Sequence, residues 1–150
     1  MVHRISIFPG SFDPFTIGHY DIVERGLTLF DEIIIGIGIN SEKQGSLPAA
    51  ERKAQIERYF RDEPRVKVAI YDGLTVDFAH QVGATFILRG VRMVADFEYE
   101  RNIAEANKEL GGIETILLYT RPEYAHISST LVRDLISHKV DVSRYLPKTK

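Results

Sequence analysis

The sequence predicts an α/β fold in which five parallel strands form one doubly wound sheet with helices on both faces. Stretches of strand length alternate along the chain with stretches whose apolar residues recur at helical spacing. The strand-like stretches are largely apolar, which is typical of parallel strands covered on both faces. The length of 150 residues fits one domain with a single sizeable core. We therefore predict a single domain over residues 1–150.

The first strand and the first helix are joined by an unusual loop. Ile5, Ile7 and Phe8 predict a buried strand, and a helix is expected to begin at His19. The residues expected to break the strand ladder and force a tight loop are Pro9, Gly10, Asp13 and Pro14. The apolar face of the helix is predicted to comprise Ile22, Val23, Gly26, Leu27 and Phe30. Because free N–H groups and the helix dipole favour anions, the loop with His19 in the first turn is a candidate phosphate site.

The second strand is predicted over residues 32–39, where the continuous apolar run indicates a central position. Gly36 and Gly38 weaken this strand unless a neighbour packs closely on their face. A helix is expected to follow from Pro48, a residue suited to the first helical turn, and to end before Pro64.

The second half of the chain continues the alternation. Residues 66–70 predict a third strand, and a short helix then ends at Gly83. The fourth strand is predicted at residues 85–88 and runs directly into Arg89. The remaining predicted elements are a long helix over residues 95–110 closed by Gly111 and Gly112, a fifth strand over residues 115–119 and a final helix around residues 131–136.

Chemically distinctive residues follow each of the predicted strands. In a parallel sheet the carboxyl ends of the strands share one edge, and ligands bind there at the switch in strand order. The residues expected at that edge are the segment 11–19, Lys43, Leu74, Thr75, the segment 89–92 and the segment 124–130. Ser, His, Lys and Arg side chains from separate loops would share one rim, which indicates a substrate that carries several phosphates.

Composition argues against several other classes of protein. The chain has 19 basic and 21 acidic side chains, a balance that gives no electrostatic footprint for nucleic acid or for an anionic membrane surface. It has no cysteine, so disulfides and thiolate metal sites are excluded. The sequence also shows no leader pattern and no apolar run of bilayer length, and we therefore expect a cytoplasmic protein.

Two segments resemble the motifs of a known superfamily. Residues 8–14 followed by Thr16-Ile17-Gly18-His19 resemble the (H/T)xGH box of the nucleotidyltransferases. Residues 127–130 with Arg133 resemble their second, ISSTxxR-type box. The resemblance implies a Rossmann-like nucleotidyltransferase fold.

Two further segments narrow the resemblance to the pantetheine-phosphate adenylyltransferase family. These are residues 88–92 and residues 95–100. Thr16 supports the narrower choice, since relatives that act on nicotinate mononucleotide or glycerol phosphate usually carry histidine there. The four motifs occur in the family's order and span nearly the whole chain.

The resemblance implies a reaction, together with its partners. It is the reversible transfer of the adenylyl group of ATP to 4′-phosphopantetheine, which gives dephospho-coenzyme A and pyrophosphate in the penultimate step of coenzyme A biosynthesis. The implied mechanism is direct in-line attack, in which the protein supplies positioning and electrostatic stabilisation. Mg²⁺ carried by the ATP phosphates, a homohexamer and feedback by coenzyme A at the same pocket are also implied.

The resemblance further implies roles for individual residues. His19, Lys43 and Arg92 would be catalytic, with His19 stabilising charge on the α-phosphate in transit. The implied ATP-binding residues are Ser11, Phe12, His19, Gly90, Val91, Arg92, Glu100, Tyr124, Ala125, His126, Ile127, Ser128, Ser129 and Thr130. The implied contacts for 4′-phosphopantetheine are Ser11, Lys43, Leu74, Thr75 and Arg89. We expect no metal site built from protein side chains.

Some of these residues also have ordinary structural explanations. Residues 128–130 are suited to capping a helix. Arg89 and Arg92 are suited to ion pairs with the acidic helix that follows, and Glu100 to a pair with a nearby arginine. A lone Lys43 in a polar loop is typically solvated.

Two other functions stay open at this point, and the place of three aromatic residues is also predicted. A related adenylyl- or cytidylyltransferase would act on another small phosphate acceptor, and a non-catalytic, flavodoxin-like module would share only the architecture. Phe86, Phe97 and Tyr99 are expected in the core rather than in a stacking platform.

Overall fold

The computed structural model describes residues 2–39 and 46–148 and contains one five-stranded parallel sheet of order β3-β2-β1-β4-β5. Its strands are β1 (Ile5–Gly10), β2 (Glu32–Gly38), β3 (Val66–Tyr71), β4 (Phe86–Val91) and β5 (Glu114–Tyr119). This order confirms the predicted doubly wound fold, with the switch in strand order between β1 and β4. The predicted Lys43 lies outside the described residues.

In the described part of the chain, five α-helices alternate with the strands. They are α1 (Ile17–Gly26), α2 (Ala49–Tyr59), α3 (Thr75–Gln81), α4 (Val94–Gly111) and α5 (Ser129–Ser137), with short 3₁₀ turns at Pro122–Tyr124 and Ser143–Tyr145. The first helix begins two residues before His19, because Thr16 rather than a later residue caps it. Within the described parts of the chain, no helix combines the length and the apolar character needed to cross a membrane.

The sheet separates two apolar clusters. Phe8, Val23 and Ile56 belong to the cluster beneath α1 and α2, whereas Ile7 and Phe78 belong to the cluster beneath α3. Neighbouring residues of β1 enter opposite clusters because successive strand side chains point to opposite faces. Both faces of the central strands are therefore covered, as the apolar runs predicted.

The glycine in the middle of β2 is explained by two stacked aromatic rings. Tyr71 and Phe78 stack with centroids 4.4 Å apart and an interplanar angle of 7°. A Cβ atom on Gly36 would lie 2.6 Å from Phe78 Cε2, which is closer than carbon atoms can approach. The expectation that a neighbour packs closely on this strand is thus confirmed.

The pairing of β1 with β4 stops early and opens a crevice. β1 pairs with β2 along its full length to Gly10, but it pairs with β4 only at Ser6 and Ile7. The prediction that Pro9 and Gly10 leave the strand was therefore wrong on the β2 side of β1. Proline has no N–H to donate, and the two strands beyond Ile7 are free to separate.

The fourth strand and the long helix also differ from their predictions. β4 continues to Val91, so Arg89 and Gly90 belong to the strand rather than to the loop after it. Within α4, which is described throughout, Glu100 is the buried residue. Tyr99 and Phe97 are 64% and 42% exposed, and the expectation that they belong to the core was wrong.

Candidate active site

A cleft of about 320 Å³ lies where β1 and β4 separate. Its walls come from the loop between β1 and α1, the start of α1, the end of β4 and the start of α5. The predicted site residues that line it are Ser11, Phe12, His19, Arg89, Gly90, Arg92, Glu100, Ile127, Ser128, Ser129 and Thr130. Residues distant in sequence therefore meet at one edge of the sheet, as their positions after the strands predicted.

Some predicted residues lie elsewhere. Val91 is buried and is not part of the described cleft lining, and Leu74 is 58% exposed outside the cleft. Thr75 lines a second cavity of about 170 Å³ that shares Arg89 and Glu100 with the cleft. The structure does not place Tyr124, Ala125 and His126 among the described residues that line the cleft.

His19 is fixed by the helix start. Thr16 caps α1, its hydroxyl oxygen accepting the His19 N–H at 3.3 Å. In return, the Thr16 N–H donates to His19 Nδ1 at 3.0 Å. Because a backbone N–H can only donate, Nδ1 must be the acceptor, and a neutral ring carries its proton on Nε2.

The surroundings of His19 keep the ring neutral. Burial, followed by the positive charges of Arg89 and Arg92, lowers the pKa of His19 from 6.5 to about 3. Phe12 meets the ring edge to face, with centroids 5.0 Å apart at 89°. At neutral pH the residue therefore offers one N–H donor and no charge.

The loop before α1 holds Phe12 in a strained conformation. Phe12 has φ of 49°, a left-handed value that is rare for a bulky residue. Its ring lies against Gly10, where a Cβ atom would approach Phe12 Cζ to 2.9 Å. Gly10 is therefore required by the position of this ring rather than by its own backbone angles.

Arg89 lines the cleft and forms an ion pair with Glu100. Its Nε and Nη2 atoms donate to the two carboxylate oxygens of Glu100 at 2.9 and 2.7 Å, and Nη1 donates to the Pro9 carbonyl. Glu100 is 5% exposed, so its buried charge needs this bidentate partner. Glu100, predicted as a nucleotide contact, lines the cleft and also orients Arg89.

Arg92 has a similar partner on the next helix. Its backbone N–H donates to Asp96 Oδ2 at 3.0 Å, and its Nε lies 3.5 Å from the same oxygen. Among the described residues that line the cleft are three arginines, the third being Arg133, and two carboxylates. The net positive charge of this lining is therefore one, smaller than a count of arginines suggests.

The start of α5 is tied to the same loop. Ser128 caps the helix by accepting the Leu131 N–H at 3.1 Å, which confirms the capping explanation for this residue. Ser129 Oγ donates to the Pro14 carbonyl at 2.7 Å. The second motif, residues 127–130, therefore helps to fix the loop between β1 and α1 in addition to lining the cleft.

Sequence reasoning missed three residues that shape the site. Asp13 is 5% exposed and accepts the Ser46 N–H and hydroxyl, both at 2.8 Å. Arg52 is 7% exposed on α2, and Arg133 Nη1 donates to the Asp13 carbonyl at 2.6 Å. The polar pattern around Arg52 carries no signal of burial, whereas Arg133 stands in the second motif.

The described residues contain no group of three or more His, Asp or Glu side chains arranged to hold a metal ion. The two carboxylates of the described cleft lining, Asp96 and Glu100, already bind arginines. Neither is free to ligate a cation without giving up that pair.

Comparisons with known proteins show to which protein family this chain is similar. A family model described as cytidylyltransferase-like matches residues 7–135. The chain is similar to the phosphopantetheine adenylyltransferase of Bacteroides fragilis, with 56% identity over 97% of both chains. It is 57% identical to the phosphopantetheine adenylyltransferase of Bacteroides thetaiotaomicron, over 97% of this chain and 96% of that protein.

A solved structure shares the fold. It is the bifunctional NMN adenylyltransferase/ADP ribose pyrophosphatase from Francisella tularensis, which superposes with a TM-score of 0.78 at 16% identity. The superposition covers 99% of this chain and 46% of that protein, so this chain spans about half of its length. At this identity the likeness shows the architecture alone.

The pKa of His19 predicts a loss of stability in mild acid. The unfolded chain takes up a proton on this ring near pH 6.5, whereas the folded chain resists it down to a pH of about 3. The unfolded state thus binds more protons in this interval, and the stability present above pH 6.5 falls as the pH drops. Between about pH 7.5 and about pH 5, the free energy of unfolding of the wild type should fall by about 2 kcal/mol more than that of His19→Gln.

Urea unfolding at the two pH values measures this difference. The control is His138→Gln, which replaces an exposed histidine at the end of α5. Equal losses in the wild type and His19→Gln, or a His19 ring proton that titrates near pH 6.5 by NMR, would contradict a neutral His19.

Proposed function

The chain belongs to the phosphopantetheine adenylyltransferase family, and from that premise we propose how its cleft performs the reaction. The enzyme transfers the adenylyl group of ATP to 4′-phosphopantetheine and gives dephospho-coenzyme A and pyrophosphate. The observation that carries the mechanism is the neutral, fixed His19 in a cleft with oriented arginines.

The proposed chemical step is a single in-line displacement. An oxygen of the acceptor phosphate attacks the α-phosphorus of ATP, the bond from that phosphorus to the bridging oxygen breaks, and pyrophosphate leaves. In the described cleft lining the hydroxyl that lies beside a histidine is that of Thr16, 3.2 Å from His19 Nδ1. Thr16 is 1% exposed and its hydroxyl caps α1, so it is poorly placed to attack a substrate, which favours direct transfer over a covalent enzyme intermediate.

His19 acts in this proposal as a neutral hydrogen-bond donor. Thr16 occupies Nδ1, so Nε2–H is the atom available to an α-phosphate oxygen. That hydrogen bond strengthens as charge builds on the phosphate oxygens during transfer, and it stabilises the transition state more than the bound substrate. With a pKa of about 3, His19 is poorly suited to carrying a proton at neutral pH.

The arginines bring the two anions together. Arg89 has five N–H groups and uses three of them on Glu100 and Pro9, which leaves two for the acceptor phosphate. We assign Arg92 to the ATP phosphates, with Gly90 and the start of α5 beside them. Lys43, whose position lies outside the described residues, is proposed as a further cation against the repulsion between the two phosphates.

The second cavity supports an extended acceptor. It continues from Arg89 and is lined by Thr75, Tyr99, Ile103 and Asn107, a mixture suited to a chain of amide and methylene groups. We propose that the pantetheine arm lies there. Leu74, predicted for the same arm, is exposed beside this cavity rather than part of its described lining.

Mg²⁺ is proposed to enter with ATP. When bound to the phosphates, the ion would neutralise charge on the leaving pyrophosphate. Asp96 and Glu100 already bind arginines, so the described cleft favours a cation held by substrate oxygens. A cytoplasmic location remains a prediction.

Replacing His19 with alanine should lower kcat by about 10² to 10³, because one preorganised donor to the transition state is lost. ATP affinity should change little, since the arginines and backbone groups still bind the phosphates. Steady-state kinetics with a separate ATP-binding measurement checks this, with His138→Ala at an exposed position as control. An unchanged kcat with a raised KM for ATP would instead assign His19 to ground-state binding.

The acceptor is tested by pyrophosphate release. With ATP and Mg²⁺, release should require 4′-phosphopantetheine and not occur with nicotinate mononucleotide or glycerol phosphate. Chelation of Mg²⁺ should abolish release, and coenzyme A should inhibit by competing for the cleft. Preference for another acceptor would replace the proposed substrate, whereas no release with any acceptor would favour a binding module.

We also propose a homohexamer, supported by the exposed apolar residues of α4. Val94 and Phe97, one turn apart on this helix, are 76% and 42% exposed, and neighbouring exposed apolar side chains of this kind are typical of an interface. Sedimentation should give a mass of six chains of 17.1 kDa, and Val94→Glu should reduce it. The control Glu98→Gln on the same helix should not, and a single-chain mass for the wild type would refute the hexamer.

A further inference from the structure

The loop between β1 and α1 turns its carbonyl oxygens toward side chains of other elements. Four carbonyls, that of Pro9 near the end of β1 and three of the loop, accept hydrogen bonds from side chains of three other elements. The pairs are Pro9 with Arg89 of β4, Ser11 with Arg52 of α2, Asp13 with Arg133 of α5 and Pro14 with Ser129 of α5. Arg52 differs from the other two arginines, because it is absent from the described residues that line the cleft.

Arg52 is buried in a position from which it reaches the loop backbone. It is 7% exposed on α2, its Nε donates to the Leu47 carbonyl at 3.0 Å, and its Nη1 donates to the Ser11 carbonyl. A buried guanidinium is strongly unfavourable unless its N–H groups find acceptors. The loop carbonyl is therefore part of what makes this burial tolerable, and the two groups hold each other in place.

A carboxylate completes the junction. Burial alone would raise the pKa of Asp13, but hydrogen bonds from Ser46 and the positive charge of Arg52 outweigh this effect and leave the pKa below its usual value. Asp13 therefore stays ionised beside the guanidinium. The loop after β1 is thus joined both to α2 and to the segment that begins at Ser46.

The direction of the Ser11 carbonyl fixes the next N–H group. In a trans peptide the C=O and the following N–H point in opposite directions. Since Arg52 draws the Ser11 carbonyl toward α2, the Phe12 N–H points away from α2. Phe12 lines the cleft, and its N–H is therefore on the side that faces the cleft. Within the described residues this N–H has no hydrogen-bond acceptor.

The backbone at Phe12 also needs support from outside. Its left-handed φ of 49° is unfavourable for a residue other than glycine, and such conformations persist only where neighbours hold them. The Arg52 hydrogen bond acts on the peptide group immediately before this strained residue.

We propose that Arg52 is a positioning residue that aims the Phe12 N–H at a phosphate of the nucleotide. The proposal rests on the adenylyl transfer described above for its kinetic readout. It concerns a side chain that does not touch substrate and acts through the loop. The nucleotide then meets an N–H group whose orientation is set before binding.

The test compares Arg52→Ala and Arg52→Lys with a control on the same helix. Ile56 is fully buried one turn further along α2, so Ile56→Ala weakens the packing of the helix without removing a hydrogen bond to a loop carbonyl. At a temperature where every variant is folded, Arg52→Ala should lose about 10- to 100-fold in kcat/KM for ATP, in line with losses from misplaced groups. Arg52→Lys should recover this only in part, because an ammonium cannot span two carbonyls as a guanidinium does.

Two further readouts separate positioning from general stability. Ethylguanidinium should restore activity to Arg52→Ala and not to Ile56→Ala. ATP should shift the Phe12 amide resonance in ¹⁵N-phenylalanine-labelled wild type, and this shift should shrink in Arg52→Ala. Wild-type kinetics in Arg52→Ala, or an equal loss in Ile56→Ala, would overturn the proposal.

The amide readout also distinguishes this proposal from the proposed function. If the wild type failed to use 4′-phosphopantetheine but ATP still shifted the Phe12 amide in an Arg52-dependent way, the reaction would be wrong and the positioning role right. If the wild type were active and the amide shift did not depend on Arg52, the positioning role alone would fail.

Discussion

The constraint on which this site depends is the early end of pairing between β1 and β4. The two strands share a ladder only as far as Ile7, whereas β1 stays bonded to β2 through Gly10. One edge of β1 is therefore held while the other is released, and the cleft forms at the released edge. Arg89 reaches into this opening and bonds the Pro9 carbonyl, which satisfies a backbone group that β4 no longer serves.

The electrostatics of the cleft are more balanced than its residue types suggest. Arg89 and Arg92 each carry a carboxylate partner, while Arg52 and Arg133 bind loop carbonyls. The two carboxylates lower the net charge of the cleft lining, and the hydrogen bonds fix the direction of the guanidinium groups. Oriented groups cost little reorganisation when substrate charge develops, so geometry rather than charge count is the main resource of this site.

Much of the fold was predictable because its signals are local. Continuous apolar runs and helical spacing located five strands and five helices, and the motif residues reached one edge of the sheet because parallel strands place them there. The sequence could not reveal that Pro9 pairs on one side only, since strand divergence is a property of the sheet. It also could not reveal that α4 exposes Tyr99, because the pattern identifies an apolar face but not what covers it.

The place of His19 in the helix cap has a consequence for its proposed part in the reaction. Its ring is part of the cap of α1, so the imidazole cannot rotate to another rotamer without breaking the hydrogen bond from the Thr16 N–H. The side chain therefore loses its rotational freedom during folding and not again at each turnover. In the proposed mechanism, a substrate that enters the cleft meets a donor already held in place, and no part of the activation barrier is spent on immobilising it.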